Sequence, residues 1–244
     1  MLRYKRQMLV KEIGRKGQEI LKNSSVIIIG AGGLGSNLAN ILVRSGIGKV
    51  VIVDDDTVDI TNLHRQTVFD ENDIGKYKSK VLEEKLRNVN NEVEIDGIVK
   101  KIDASNIESL VKKFDIILDG TDDMKTRFII NEAAVKNNIP WIYTGVHSTY
   151  CIVKGIIPGK TACLRCFIDK IPPNLDPERD GILSNLPSIA AFIEATETFR
   201  ILLGKKPSGL IIYDIWRQDF EVIELERNKN CTCCVKHDFE YIQR

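Results

Sequence analysis

A glycine-rich stretch and an acidic residue beyond it have the types and spacing to bind a nucleotide. The stretch IIGAGGLGSN carries Gly30, Gly32 and Gly35 directly after an apolar run. Glycines at this spacing permit a tight turn, a close approach of backbone to phosphate, and a helix start whose free amides face the anion. Asp54 follows about 20 residues later, where a carboxylate can bind ribose hydroxyls. The pattern predicts a nucleotide site, and NAD, FAD and ATP all fit it.

Polar and basic residues further along the chain distinguish between these nucleotides. Asn62, Arg65 and Gln66 lie in NLHRQ, Lys78 lies in GKYKSK, and Asp122 lies in DGTDD. Cleavage of a triphosphate at its α-phosphorus requires cations for the charge that develops, and usually Mg²⁺. Each cation alone is typical of a solvated surface, but together at the strand ends of one sheet they favour ATP. Asp122 is placed either to reach a metal across the crevice or to cap the next helix.

The six cysteines include two CxxC pairs, which is the ligand set of a structural zinc site. The pairs are Cys163 with Cys166 and Cys231 with Cys234. A metal there would clamp two distant segments of the chain together. The alternative is a redox CxxC, which would be a single motif near a helix start. Cys151 lies in an apolar strand and is expected to be buried, and Cys233 leaves the second pair ambiguous.

The candidate residues require a sheet that brings strand ends together. Apolar runs predict strands at 25–29, 49–53, 93–99, 115–118 and 139–144, and helical periodicity predicts helices at 36–45, 76–89, 107–111 and 126–137. Strands that alternate with helices indicate an α/β fold with a doubly wound, mostly parallel sheet of the Rossmann type.

The pattern changes in the last part of the chain. Antiparallel strands are predicted at 152–157, 210–215 and 220–225, with a turn at 217–219 and a helix over 187–203. We expect a helical N-terminal arm over 1–22 that Gly14 and Gly17 interrupt, an ATP-binding core over 23–145, and a packed remainder over 146–244 that carries the predicted zinc site.

Composition narrows the class of protein. The 244 residues carry 35 basic and 34 acidic side chains, so nothing in the charge favours a nucleic-acid partner. No apolar run approaches the ~18 residues of a membrane span, and the start MLRYKRQMLV is too charged for a signal peptide. These features predict a cytoplasmic protein without a membrane partner.

The joint pattern resembles the ThiF/MoeB family of adenylating enzymes, which are relatives of ubiquitin-activating enzymes, and is most similar to its MoeB-type members. The shared features are RYKRQ, GAGGLG, DDDTVDITNLHRQ, IGKYKSK, LDGTDD and the late CxxC pairs, over about residues 3–234. The resemblance implies ATP held by Gly30, Gly32, Gly33 and Gly35, ribose bound by Asp54, phosphates served by Asn62, Arg65 and Lys78, and Mg²⁺ bound by Asp122, with Asp56 and Gln66 also in the nucleotide site. It also implies zinc on Cys163, Cys166, Cys231 and Cys234, and a homodimer in which Arg6 reaches the γ-phosphate in the partner subunit.

The reaction implied by the resemblance is adenylation of the C-terminal glycine of a small ubiquitin-like sulfur carrier ending in Gly-Gly, with release of pyrophosphate. A terminal carboxylate is already ionised at pH 7, so no base is needed, and no catalytic role is assigned to His64, His147 or His237. Family members that form a covalent link to the carrier have a cysteine in the loop that is FIDKIPPNLDPERDGILSNLP here, at a position near Pro177. This loop has none, so we expect adenylation without a covalent cysteine step and an external sulfur donor. The loop's length suits a flap over the carrier tail.

Three other functions compete with this interpretation. An NAD-dependent oxidoreductase would explain the glycine loop and Asp54, but would leave Arg65, Lys78, Asp122 and the cysteine pairs without a role. A catalytically silent binding module would not need the phosphate and metal residues. A third possibility keeps the adenylation chemistry and changes the acceptor to a peptide or a tRNA intermediate.

Overall fold

The described strands form a single mixed sheet. The computed structural model describes residues 2–171 and 181–242. Its strands are β1 Ser25–Ile29, β2 Lys49–Val53, β3 Glu94–Ile98, β4 Ile116–Asp119, β5 Trp141–His147, β6 Tyr150–Ile156, β7 Leu210–Asp214 and β8 Asp219–Ile223. Their spatial order is β3-β2-β1-β4-β5-β6-β7-β8.

The first five strands are parallel, as the alternation of strands and helices predicted. β1 lies between β2 and β4, and pairs in parallel register with both. The chain therefore turns to one side of β1 for β2 and β3, and to the other side for β4 and β5. In sheets of this kind ligands bind outside the carboxyl ends of the strands at the point where the order reverses. That point lies between the ends of β1 and β4.

The last three strands are antiparallel, and they extend the same sheet. β5 and β6 form a hairpin in which His147 pairs with Tyr150, and β7 and β8 follow in turn. β5 runs through position 145, where the sequence analysis ended the ATP-binding core. The parallel and antiparallel parts of the sheet therefore share this strand. β8 begins at Asp219, which the sequence placed in the preceding turn.

Helices cover both faces of the sheet. They are α1 Gly14–Lys22, α2 Gly33–Ser45, α3 Lys78–Val89, α4 Ile107–Val111, α5 Met124–Asn137 and α6 Leu186–Leu202. On one face α2, α3 and α6 bury residues such as Leu38, Leu82 and Ala191. On the other face α4, α5 and the segment 231–242 bury Ile107 and Phe128. This arrangement confirms the doubly wound fold class.

The N-terminal segment differs in detail from the predicted broken helix. Two short 3₁₀ helices, Leu2–Tyr4 and Gln7–Leu9, precede α1. Gly14, with φ of 58°, begins α1 instead of interrupting it. Gly17 lies inside the helix, where the absence of a side chain leaves room for Leu203. Tyr4 is buried, so this segment packs on the core at its own start.

None of the helices in the described ranges combines the length and the apolar character required to cross a membrane.

Candidate functional site

The glycine loop is built so that only glycine fits at two of its positions. Gly30 has φ of 97°, and a Cβ there would lie 2.5 Å from the carbonyl oxygen of Gly120 at the end of β4. A Cβ on Gly35 would overlap the carbonyl oxygen of Gly30. These contacts hold the turn from β1 into α2 tightly against β4. The first turn of α2 therefore opens at the switch point, where its backbone amides favour an anion.

A cleft of about 690 Å³ opens at these strand ends. Its size is within the usual range for a small-molecule site. The predicted residues that line it are Gly30, Gly32, Gly33, Asp54, Asp56, Asn62, Arg65, Gln66, Lys78 and Asp122. Gly35 is not a lining residue and supports the loop from beneath. The cleft thus collects the predicted residues from five separate segments of the sequence.

Asp54 ties the glycine loop to the end of β2. Its Oδ2 accepts a hydrogen bond from the amide of Ala31 at 2.6 Å, and its Oδ1 accepts one from the amide of Asp56 at 2.8 Å. Burial raises the pKa of the Asp54 carboxyl, and these two amides offset part of that effect. Each carboxylate oxygen retains a second lone pair for a ligand hydroxyl.

The cations of the cleft are held by local contacts. Lys78 begins α3, and its buried side chain places Nζ 3.0 Å from the carboxylate of Asp56. Arg65 is half-buried, and its Nη1 donates to the carbonyl of Thr61 at 3.1 Å. Asn62 ends a short 3₁₀ helix, where its side-chain oxygen accepts from the amide of Asp59. The two cations and the amide thus line one cavity, in which the carboxylate of Asp56 pairs with Lys78.

Two neighbouring acids after β4 have separate roles in the structure. Asp123 caps α5, because its carboxylate accepts hydrogen bonds from the amides of Lys125 and Thr126. Asp122 is exposed and faces the cleft. The helix cap that the sequence left open for Asp122 is therefore supplied by Asp123. The carboxylate of Asp122 is therefore not needed as a cap, and Asp122 lines the cleft where a ligand would bind.

A buried ion pair behind the cleft was missed by the sequence analysis. Asp119, the last residue of β4, is fully buried and accepts from Arg127 Nε at 2.9 Å. Arg127 Nη2 also donates to the carbonyls of Thr121 and Thr144. The pair thus fixes residues 120–123, which we call the β4 loop, against β5. The available sequence signal was an arginine directly before the apolar residues 128–130 of α5.

Gln66 provides a test of whether a polar ligand fits the cleft. Its side chain is 3% exposed, and its Oε1 has no hydrogen-bond partner among the described residues. A buried acceptor without a donor is costly, and a ligand hydroxyl or amine would satisfy it. The cleft residues therefore fit a bound nucleotide.

The cleft continues past the predicted nucleotide residues to the β5–β6 hairpin. Tyr143, His147 and Tyr150 line this part, and the rings of His147 and Tyr150 lie 5.4 Å apart. Ile182 and Pro187, in the last part of the proposed flap sequence, line it as well. The flap residues 172–180, including Pro177, lie outside the described part of the chain. Spacing in the sequence gave no signal for this extension, because its aromatic residues have no common motif.

Arg6 stands apart from the other predicted residues. It is exposed at the start of a 3₁₀ helix and is not among the residues that line the cleft of its own chain. Its predicted role at a partner subunit's phosphate stays a prediction.

The four cysteines of the CxxC pairs meet in one cluster. The Sγ atoms of Cys163, Cys166, Cys231 and Cys234 all lie within 4.8 Å of one another. The contact between Cys163 and Cys231 is 3.6 Å, and that between Cys166 and Cys234 is 3.5 Å. A tetrahedral zinc with Zn–S bonds of about 2.3 Å needs sulfur atoms about 3.8 Å apart. The four thiols fit such a metal ion.

The remaining cysteines lie outside this ligand set. Cys233 is buried, and its sulfur accepts from Asn131 Nδ2 at 3.2 Å. Cys151 is fully buried in β6, and burial raises the pKa of its thiol to about 11. A buried thiol with such a pKa is a poor nucleophile at neutral pH.

Comparison with known proteins gives the chain a family. The model described as the ThiF family matches residues 4–235. The chain is 35% identical over 246 residues to the sulfur carrier protein ThiS adenylyltransferase of Bacillus subtilis, an alignment that covers 98% of this chain and 73% of the relative. It is 32% identical over 242 residues to the protein of the same name in Escherichia coli K12, with 96% and 94% covered.

A solved structure agrees with these relatives. The crystal structure of Escherichia coli MccB with ATP has a TM-score of 0.84 and 25% identity, and the match covers 95% of this chain and 74% of that chain. The chain therefore shares its fold with a protein whose structure was solved with ATP. The chain belongs to the ThiF family and is an adenylyltransferase.

Proposed function

We propose that this adenylyltransferase activates the C-terminal glycine carboxylate of a small ubiquitin-like sulfur carrier at the expense of ATP. The observation that carries the proposal is one continuous cleft. It brings the glycine loop, Asp54, two cations and Asp122 to the switch point, and it runs on to the β5–β6 hairpin. The first part suits a nucleotide, and the extension suits an extended peptide tail. Relatives described as sulfur carrier adenylyltransferases support this acceptor.

The roles of the residues in nucleotide binding follow from their positions. The amides of the glycine loop and of the first turn of α2 would bind phosphate, and Asp54 would accept hydrogen bonds from ribose hydroxyls. Asn62, Arg65 and Lys78 would bind the phosphates, and Asp56 holds the Lys78 ammonium in the cleft. Asp122 would bind Mg²⁺, for which carboxylate oxygen is a preferred ligand.

The chemistry requires alignment and charge neutralisation. The carrier carboxylate, already ionised, attacks the α-phosphorus, the bond to the bridging oxygen breaks, and pyrophosphate leaves. Arg65 and Lys78 stabilise the negative charge that develops on the phosphates. Mg²⁺, when bound, neutralises further charge on the phosphate oxygens. No proton is transferred in this step, so the step needs no histidine.

We infer that the product is the acyl-adenylate, without a covalent cysteine intermediate. Cys151 is buried with a raised thiol pKa, and Cys233 is buried behind the cysteine cluster. The loop residue near Pro177, where family members with a covalent step carry a cysteine, is not cysteine in this sequence. Sulfur would then come from an external donor protein.

Zinc on the cysteine cluster and a homodimer complete the proposal. The four sulfur atoms all lie within 4.8 Å of one another, which supports a single tetrahedral zinc ion shared by them. The cysteines do not line the cleft, so the metal would have a structural role. The exposed position of Arg6 supports a site to which the partner subunit contributes this arginine.

A different acceptor is a second candidate. The structural match to MccB, whose solved complexes include MccA and ATP, supports a peptide as this second acceptor. The same cleft extension would accept either one. The two acceptors share the adenylation step and differ in what contacts the surface around the hairpin.

ATP–pyrophosphate exchange tests the function and the acceptor together. We expect exchange with a purified Gly-Gly carrier, and a loss of roughly a hundredfold or more in Asp122→Asn. The matched control is Asp123→Asn, which retains a good helix cap and should exchange normally. Exchange with short peptides alone would favour the second candidate, and equal exchange by both variants would contradict the role of Asp122.

A further inference from the structure

A glutamate on α6 is buried directly behind the β4 loop. Glu194 is 0% exposed, and its Oε1 accepts a hydrogen bond from the amide of Asp119 at 3.1 Å. α6 packs mainly against α2, β5 and β6. The Glu194 carboxyl connects this helix to the end of β4 through the hydrogen bond to Asp119. The adenylation chemistry described above does not use it.

The groups around Glu194 come from three other elements. Asp119 of β4 and Arg127 of α5 are the charged groups that face it, and Tyr143 of β5 lies beneath the Arg127 guanidinium at 5.3 Å. Two fully buried carboxyls therefore lie near one guanidinium. Arg127 bonds directly to Asp119, so the charge of Glu194 is the one that lacks a partner.

The carboxyl has one more hydrogen bond to make. Glu194 Oε2 and the hydroxyl of Thr144 are both buried, and neither has a partner within hydrogen-bonding geometry. The hydroxyl lies close enough to influence the carboxyl. Burial raises the pKa of Glu194 well above its ordinary value, which favours the protonated form of the carboxyl. That proton on Oε2 can be donated to Thr144 Oγ1, which satisfies both atoms.

The contacts of Asp119 connect Glu194 to the cleft. The carboxylate of Asp119 accepts from the amide and the hydroxyl of Thr121, the second residue of the β4 loop. The next residue is Asp122. A shift of Asp119 would therefore move the backbone that presents Asp122 to the cleft.

We propose that Glu194 is a positioning residue for adenylation, which ties α6 to Asp119 and Thr144 and thereby holds the β4 loop where Asp122 meets the nucleotide-bound metal. The proposal rests on the proposed function only for the role of Asp122. Glu194 does not line the cleft. The proposal nevertheless gives it an effect on metal-dependent catalysis.

Three variants separate positioning from packing. Glu194→Gln retains an acceptor for the Asp119 amide and supplies a donor for Thr144. Glu194→Met fills the same space and makes neither hydrogen bond. The matched control is Glu197→Met on the same helix. Glu197 is also buried, at 2% exposed, but its carboxylate accepts hydrogen bonds from Ser208 and not from Asp119.

The first measurement is residue-resolved amide hydrogen exchange of the protein without ligands. The informative amide is that of Thr121, which bonds the Asp119 carboxylate and not Glu194 itself. We expect Glu194→Met to speed its exchange about tenfold, the effect of one lost buried hydrogen bond. Glu194→Gln and Glu197→Met should leave it at the wild-type rate. Unchanged Thr121 exchange in Glu194→Met would overturn the proposal.

The second measurement is the Mg²⁺ dependence of ATP–pyrophosphate exchange. Glu194→Met should raise the half-saturating Mg²⁺ concentration and lower kcat by roughly ten- to a hundredfold, because a small displacement of a ligand is costly. Glu194→Gln should restore both values, whereas a Gln variant that behaves like Met would contradict the proposal. If Glu194→Met does not fold, Thr144→Val replaces it and should raise the Mg²⁺ requirement in the same direction. Absence of exchange in the wild-type protein would count against the proposed function, while the Thr121 amide would still decide the positioning role.

Discussion

Three acids in or behind the cleft fall into two groups with different surroundings. Asp54 and Asp119 are engaged by backbone amides at the ends of β2 and β4, so they shape the loops that line the cleft. Asp122 is exposed and makes no such contact with its own loop. Substitution of the first group should change the structure of the site, whereas substitution of Asp122 should change only what the site binds.

Glu194 should give the protein a pH-dependent stability that Glu194→Gln lacks. The pKa of Glu194 is raised in the folded state from an ordinary value of 4.5, so the folded protein binds this proton more tightly than the unfolded chain. The free energy of unfolding must then fall as pH rises from the ordinary value toward the raised one. Glutamine has no proton to lose. Its advantage over wild type should therefore increase with pH.

Urea unfolding of both proteins at several values from about pH 5 to about pH 8 measures this difference. Every other acid is common to the two proteins, so the contributions of acids outside the Glu194, Asp119 and Arg127 cluster cancel in the difference. A free-energy difference that stays constant with pH would contradict a raised pKa for Glu194.

The sequence predicted the residues of the cleft better than the residues behind it. Asp54, Asn62, Arg65, Lys78 and Asp122 lie in short motifs after strands, and strand ends meet at one edge of a parallel sheet. Glu194 and Asp119 are 75 positions apart and come together only through packing of α6. No spacing rule links such a pair, so buried polar contacts between elements were not predictable.

At the scale of elements, the cysteine cluster joins two loops on one side of the sheet. One CxxC pair follows β6 and the other follows β8, and pairs of their sulfur atoms are 68 positions apart in sequence. The adjacent segment is held further by Glu132 of α5, whose carboxylate accepts the amides of Glu240, Tyr241 and Ile242. A metal would therefore stabilise the end of the chain against α5.

Removal of one proposed zinc ligand should destabilise the protein more than it changes its chemistry. Cys166→Ser should lose zinc and lower Tm on the order of 10 °C, because a structural metal contributes several kcal/mol to folding. Metal analysis and thermal unfolding with and without a chelator measure both effects. The control is Cys151→Ala, which should retain its zinc. A full zinc content in Cys166→Ser, or a Tm that the chelator leaves unchanged in wild type, would contradict the assignment.

Element boundaries were predictable where apolar runs end abruptly and less so at helix starts. β1 and β2 match their predicted ranges, because each is a buried run in the sequence. α5 begins at Met124, two residues before its predicted start, because Asp123 and not a later residue supplies the cap. α1 begins at a glycine, since positive φ at Gly14 reverses the chain before the helix. Such caps depend on local geometry that composition does not determine.

At the scale of the whole molecule, one sheet serves two purposes. Its parallel strands end at the proposed nucleotide residues, and its antiparallel strands carry the cleft extension at the β5–β6 hairpin. The fold class and the change from parallel to antiparallel strands were both predictable from the alternation of elements. The cleft of a single chain nevertheless lacks one predicted contributor, Arg6, which is exposed outside it.

If Arg6 acts in the partner subunit, two inactive variants should restore activity when they share a dimer. Arg6→Ala lacks the arginine in both sites of its homodimer, and Lys78→Ala lacks the lysine in both. In the mixed dimer of a two-fold assembly, one site receives both defects and the other receives neither. Half of the dimers in an equal mixture are mixed, and half of their sites are intact. Exchange activity should therefore recover to roughly a quarter of wild type.

Co-expression of the two variants with different tags, followed by ATP–pyrophosphate exchange, measures the recovery. Purification through both tags isolates the mixed dimer, whose activity should approach half of wild type because one of its two sites is intact. The control is Arg6→Ala carrying both tags, which should stay inactive. Mixed dimers that form and show no recovery would place Arg6 in its own subunit's site or outside catalysis. Recovery would instead mean that a residue distant from the cleft in one chain completes the cleft of the other.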